Sequence, residues 1–193
     1  MIGFTATLDL FEFLLVYFLA LLLYFINVIF IRKNFTPIRL FHFCTWLFYW
    51  LSLIKVVFFP FSYRFKHNPE IFRSDLLYQF VPFHTIFDSI KYDLWIQIIG
   101  NIALLLPIPL LFVVLKSKNL PFYKNFIFGL TLTISIELIQ LLINYSTKYP
   151  NKVMDIDDVI LNMIGILLGW LISKVYSAWY LTPKKTLSQN SYL

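Results

Sequence analysis

Four carboxylates, Glu137, Asp155, Asp157 and Asp158, lie within or at the entrance of stretches otherwise fit for hydrocarbon. Ionisable groups in such places are costly and mark sites by default. Glu137, in "SIELIQ", sits seven residues before Asn144, where its apolar run ends, roughly 10 Å deep at 1.5 Å per residue. At that depth a carboxylic acid either keeps its proton and donates a hydrogen bond or pairs with a cation such as Lys152. Thr133, Glu137, Gln140 and Asn144 follow steps of four, three and four, which is one stripe of a helix. Asp158, Asn162, Gly165, Gly169 and Ser173 make a second stripe at steps of four, three, four and four. Glu137 is the candidate general acid or base, and Asp158 the candidate for orienting water, substrate or metal.

Around that pair the sequence offers Asn101, Gln140, Asp155, Asn162, His84 and Lys152 as further binding residues. Asn101 lies in "IIGNIALLLPIPLLF", where Pro107 and Pro109 withhold backbone bonds from the carbonyls of Ala103 and Leu105, so a kink with acceptors seeking partners is expected. Gly165 and Gly169 form a GxxxG pattern that lets another backbone approach closely. A fourth span packed on it would bring Glu137 and Gln140 near Asp158 and Asn162, giving one outward-opening polar pocket.

Plainer roles compete for several of these residues. Asp155 can cap the helix that follows, with Asp157 and Asp158 favoured in its first turn by the helix dipole. Asn101 and Asn162 can be interhelical hydrogen-bond glue. His84 could serve as base, ligand or hydrogen-bond partner, although a lone interfacial histidine is more often none of these. Glu137, Asp155 and Asp158 are conceivable oxygen ligands for a divalent cation, but their spacing does not require one. Cys44 is the only cysteine, which excludes an internal disulfide and a multi-cysteine metal site. No cofactor is expected. Without a Gly-rich phosphate loop or a soluble basic groove, nucleotide and nucleic-acid binding have no support.

The elements that must position these residues are membrane helices. The chain has 193 residues, 60% hydrophobic and only 13% charged, with a mean hydropathy of +0.75, more apolar than a soluble core could bury. Five stretches reach the roughly 20 apolar residues a spanning helix needs. They run from Leu8 to Ile31, Ile38 to Phe61, Leu94 to Leu115, Phe122 to Asn144 and Asp157 to Trp179. The first is too long for a signal-peptide core and is expected to be retained. Lys55 and Lys174 lie near enough to span ends to snorkel.

The expected fold is therefore an all-α polytopic helical bundle. One set of loops carries nine Lys and Arg and no acid, the other six Lys and Arg with nine acids, so the first face is expected in the cytoplasm. That puts the N terminus outside and the C terminus inside. The long connection from Ser62 to Asp93 is too apolar for a free linker and should lie against helix ends as an interfacial or re-entrant segment. Residues 1–181 are read as one transmembrane domain and 182–193 as a flexible cytoplasmic tail. Membrane lipids are the expected surroundings; the oligomeric state is left open.

"VPF" at Val81 to Phe83, "NIALLLP" at Asn101 to Pro107, "SIELIQ" at Ser135 to Gln140 and "DIDDVILNMIG" at Asp155 to Gly165, with Gly169 beyond, occur in this order. The set resembles the VanZ family of bacterial membrane proteins over Val81 to Gly169. The sequence departs from the family pattern at Pro109, usually glycine, and at Lys152, usually arginine. Lysine keeps the charge but loses the two-pronged recognition of carboxylate or phosphate. The resemblance implies a multi-pass protein of the bacterial cell membrane, associated with resistance to teicoplanin-type glycopeptides. On that basis the pocket is expected to bind a lipid-linked envelope precursor, an antibiotic or another surface molecule. Two alternatives stay open: an intramembrane enzyme modifying an envelope lipid, and a packing or scaffold protein in which the stripes only assemble helices.

Overall fold

The computed structural model describes residues 3–32, 35–65, 72–73, 76–116, 119–180, and the tail expected at 182–193 lies outside them. Among the described residues, five helical stretches are long and apolar enough to cross a membrane: Leu10–Ile29, Pro37–Phe58, Trp95–Leu115, Phe122–Thr147 and Ile156–Trp179. The all-α reading stands, with span bounds within a few residues of those expected from hydropathy. The chain divides into two compact units, residues 1–72 with 143–151, and residues 73–142 with 152–193.

In the first unit a short strand β1 (Gly3–Ala6) pairs antiparallel with β2 (Phe61–Arg64). Between them run α1 (Leu10–Ile26), which continues as a π-helical turn over Asn27–Arg32, and α2 (Pro37–Phe58), with proline in its first turn, where no backbone N–H is needed. The two helices meet through rings. Tyr24 and Phe43 stack with centroids 4.1 Å apart, and Phe13 and Tyr17 both meet Phe48 edge-on at 5.8 and 6.2 Å. The Lys55 ammonium lies 5.5 Å from the Phe13 ring centroid, a cation over an aromatic face. In the same unit Asn151 bonds the backbone of Ser62 both ways, accepting from its N–H at 2.5 Å and donating to its carbonyl at 3.1 Å.

The second unit holds β3 (Tyr78–Gln79), α3 (His84–Lys91), α4 (Trp95–Leu105), α5 (Pro107–Lys116), most of α6 (Phe122–Thr147), β4 (Met154–Asp155) and α7 (Ile156–Tyr180). The third span is interrupted at Leu106, as Pro107 and Pro109 dictate, so α4 and α5 follow one another in a single crossing. These two helices, and not α6, occupy the glycine face of α7. An added Cβ at Gly165 would lie 2.1 Å from the Ile102 carbonyl oxygen, and one at Gly169 would lie 2.1 Å from that of Leu106. The expected partner of the GxxxG pattern is thus corrected from the fourth span to the third. The pairs Ile102 with Gly165 and Leu106 with Gly169 advance together along both chains, so the helices run parallel, as alternate spans must.

The fourth span reaches α7 by another face. An added Cβ at Gly129 would lie 2.6 Å from the Ile166 side chain, and Asn162 Nδ2 donates to Thr133 Oγ1 at 3.0 Å. These pairs run in opposite senses along the two chains, which makes α6 and α7 antiparallel. At their ends β3 and β4 pair in parallel, Tyr78 with Met154 and Gln79 with Asp155.

Candidate functional site

The two polar stripes are buried. Thr133, Glu137, Gln140 and Asn144 on α6 are all enclosed, as are Asn162, Gly165, Gly169 and Ser173 on α7, with Asp158 half-buried. Glu137 is 1% exposed, and its Oε2 accepts the backbone N–H of Asp155 at 3.0 Å. The carboxylate therefore holds the strand residue that leads into α7.

Asp155 then caps α7. Its Oδ1 accepts the N–H of Asp157 at 2.8 Å, two residues on, satisfying one of the amides a helix start leaves open. Its Oδ2 accepts from the Thr85 hydroxyl at 2.5 Å. Asp157, wholly buried, serves a different helix. Its Oδ1 accepts the Phe83 N–H at 2.6 Å and its Oδ2 the Ile86 N–H at 3.0 Å, so one carboxylate caps the start of α3. Phe83 has φ 66°, the left-handed region that a bulky residue avoids. The bonds to Asp157 from its own N–H and that of Ile86, with the Thr85 bond to Asp155, hold that conformation in place.

Asp158 accepts from the side-chain amide of Asn101, which ties α4 to α7 near the membrane entrance. Lys152 is half-buried; burial pulls its ammonium below the usual lysine range, opposed by the nearby charges of Asp158 and Glu137. Lys152 thus lies within electrostatic reach of both acids. A turn deeper, Asn162 is 1% exposed, and its Oδ1 has no hydrogen-bond partner among the described residues.

Of the residues singled out in sequence, Asn101, Glu137, Asp155, Asp158 and Lys152 come together around the start of α7. Asn162 follows one turn deeper, while Gln140 lies on the same buried stripe of α6. His84 does not join them. It lies on the exposed side of α3 with Nδ1 3.6 Å from Asp88 Oδ2, because Thr85, the next residue round the helix, takes the inward direction. Gly165 and Gly169 serve packing.

Thr85 and the cross-chain role of Asp157 had no signal in sequence, since both contacts join residues more than 60 positions apart. Among the described residues no group of three His, Cys, Asp or Glu is arranged to hold a metal ion. The oxygens of Asp155 and Asp157 already accept internal bonds.

The arrangement can hold donors or a cationic group against Glu137 and Asp158, with Lys152 balancing part of the charge. None of the curated proteins and none of the solved structures matches the chain. The family profile of VanZ/LLP1 matches residues 46–177, more than half of the sequence and all of the residues gathered here. With the motifs in their order and the spans in their places, the chain belongs to the VanZ/LLP1 family.

Proposed function

We propose that this is a bacterial cell-membrane protein, N terminus outside, whose carboxylate cluster at the start of α7 binds a lipid-linked or surface molecule and lowers sensitivity to teicoplanin-type glycopeptides. The observation that carries the reading is Glu137: a carboxylic acid 1% exposed inside an apolar span, beside Asp158 and Lys152. A group so placed is expensive for packing alone, and its neighbours on α7 and α4 present polar atoms in the same place. The antibiotic role comes from the family, and the outward placement from the acid-free loops of the opposite face.

The test is glycopeptide susceptibility of a sensitive host expressing wild type, Glu137→Gln or Asp158→Asn, with membrane abundance measured for each. Glutamine keeps an acceptor for the Asp155 N–H, and asparagine keeps one for Asn101, so both variants should accumulate. Protection by wild type that is lost in both variants at equal abundance is expected. Protection unchanged by the substitutions would leave the cluster a packing device, and no protection by abundant wild type would remove the antibiotic role.

A further inference from the structure

The short helix α3 has three faces. At 100° per residue, Phe87 and Ile90 fall within one sector about 60° wide, Lys91, His84 and Asp88 in the next, and Thr85 and Ser89 in the third, with Phe83 just before the helix. The third sector is turned into the protein: Thr85 donates to Asp155, and Ser89, 2% exposed, donates to Gln97 at 3.4 Å. The second is polar and exposed, with His84 against Asp88. The first is apolar and uncovered, with Phe87 67% and Ile90 42% exposed, and Phe83, just before the helix, is 51% exposed.

We propose that this apolar face is a membrane-docking surface, with Phe83, Phe87 and Ile90 set among lipid acyl chains and the His84, Asp88 and Lys91 edge among headgroups. The level of α3 within the molecule argues for lipid as the occupant. Its start is bonded to Asp155 and Asp157, where the fifth span begins, and its end leads through the Leu94 N–H, 2.7 Å from the Ser89 carbonyl, into the third span. Both spans start at the height of α3, which is the height of the bilayer interface. Ile96 and Ile99, in the first turns of the third span that follows α3, are likewise uncovered, 80% and 59% exposed, as residues facing lipid would be. A helix of this kind lies in the interface plane with its apolar side roughly 5–10 Å into the boundary.

The consequence for the site is direct. Because α3 supplies the amides that Asp157 holds and the hydroxyl that Asp155 holds, its seat in the lipid fixes the height at which the carboxylates open. If the site takes a lipid-linked molecule, which rests on the reading proposed above, α3 is the wall beside which its tail lies.

The experiment reads α3 without any ligand. In a Cys44→Ser background, single cysteines replace His84, Phe87, Asp88 or Ile90, each carrying a nitroxide, in bilayers of phosphatidylethanolamine and phosphatidylglycerol. The ratio of oxygen to nickel-chelate accessibility should be several-fold higher at positions 87 and 90 than at 84 and 88. As a companion, the unsubstituted protein is exposed to a carbene reagent generated within the same bilayers. Phe87 and Ile90 should be modified and Asp88 should not.

Equal nickel access at all four positions would put α3 in water and overturn the proposal. Exclusion of both reagents from 87 and 90, with no carbene modification, would mean that a protein surface or a second copy covers the face, which overturns it equally. Neither result depends on susceptibility to any antibiotic, so this inference and the proposed function fail separately.

Discussion

The first unit joins α1 to α2 through side chains, and the second joins α4 and α5 to α7 through backbone. In the former, rings of Phe13, Tyr17, Tyr24, Phe43 and Phe48 fill the space between helix surfaces. In the latter, the missing side chains of Gly165 and Gly169 bring the carbonyls of Ile102 and Leu106 against α7. Lipid tails are as apolar as leucine, so neither pair gains from leaving water once inserted; contact, hydrogen bonding and close approach must do the holding. Ring contacts adapt to small shifts, whereas a backbone contact fixes both axis and register. Of the two, only the second arrangement can bring Asn101 to Asp158 reproducibly. The family match, residues 46–177, takes in that unit's whole site but none of α1.

The largest effect should come from closing the glycine contact. Gly165→Ala places a Cβ 2.1 Å from a backbone oxygen that no side-chain rotation can move, and α7 cannot back away without disturbing Gly169 too. A loss of about 3 kcal/mol is expected, as for severe overpacking, read as a lowered midpoint of thermal unfolding in detergent. Gly100→Ala is the control, since an added Cβ there meets nothing within 4 Å, and it should be tolerated. Equal behaviour of the two variants would break the contrast at its centre.

Next comes the shared cap. Asp157→Ala would strip the N–H groups of Phe83 and Ile86 of their acceptors and leave the left-handed Phe83 with only the nearby Thr85–Asp155 bond. About 2 kcal/mol should be lost, and α3 should become the first segment to exchange its amide hydrogens. Asp157→Asn, which retains one acceptor oxygen, should lose less. Unaltered exchange in α3 would show that the helix is held by its other contacts.

These two cases mark how far the sequence could be read. Hydropathy located every span to within a few residues, because length and apolarity are properties of a single segment. The stripe from Thr133 to Asn144 was legible for the same reason: helical spacing is local. Partners were not. The glycines of α7 announced a close approach but carried no sign of what approaches, and the chain neighbour α6 was the natural expectation until the parallel α4 and α5 proved to fill the place. Asp157 reads in sequence as a first-turn acid of its own helix. Its bonds to Phe83 and Ile86 depend on β3 and β4 bringing residues 77–79 beside 154–155. His84 follows the "VPF" motif directly in the chain, yet one step round α3 turns it outward.

In the first unit the corresponding substitution is milder. Phe43→Leu removes the ring stacked on Tyr24 but leaves an apolar side chain of adaptable shape, so a loss of about 1 kcal/mol is expected. Unfolding monitored by the exchange of α1 and α2 amides should show it confined to that pair. A loss equal to that of Gly165→Ala would mean that rings fix geometry as firmly as backbone contact, and the distinction drawn between the units would fall.

The smallest effect sharpens the contrast from within the second unit. Thr133→Val keeps the shape of a wholly buried side chain and removes the oxygen that accepts from Asn162 Nδ2. Interhelical bonds of this type average about 0.6 kcal/mol, because an unfolded helix in a membrane also finds partners. A double-mutant cycle with Asn162→Leu isolates the pair from the cost of an unmatched amide. A coupling near that average would make the glycine contact the source of register, with the Thr133 bond following from it. A coupling above the loss from Phe43→Leu would reverse the order: the buried bond between α6 and α7 would then fix the position of Glu137 independently of the fit between α4, α5 and α7.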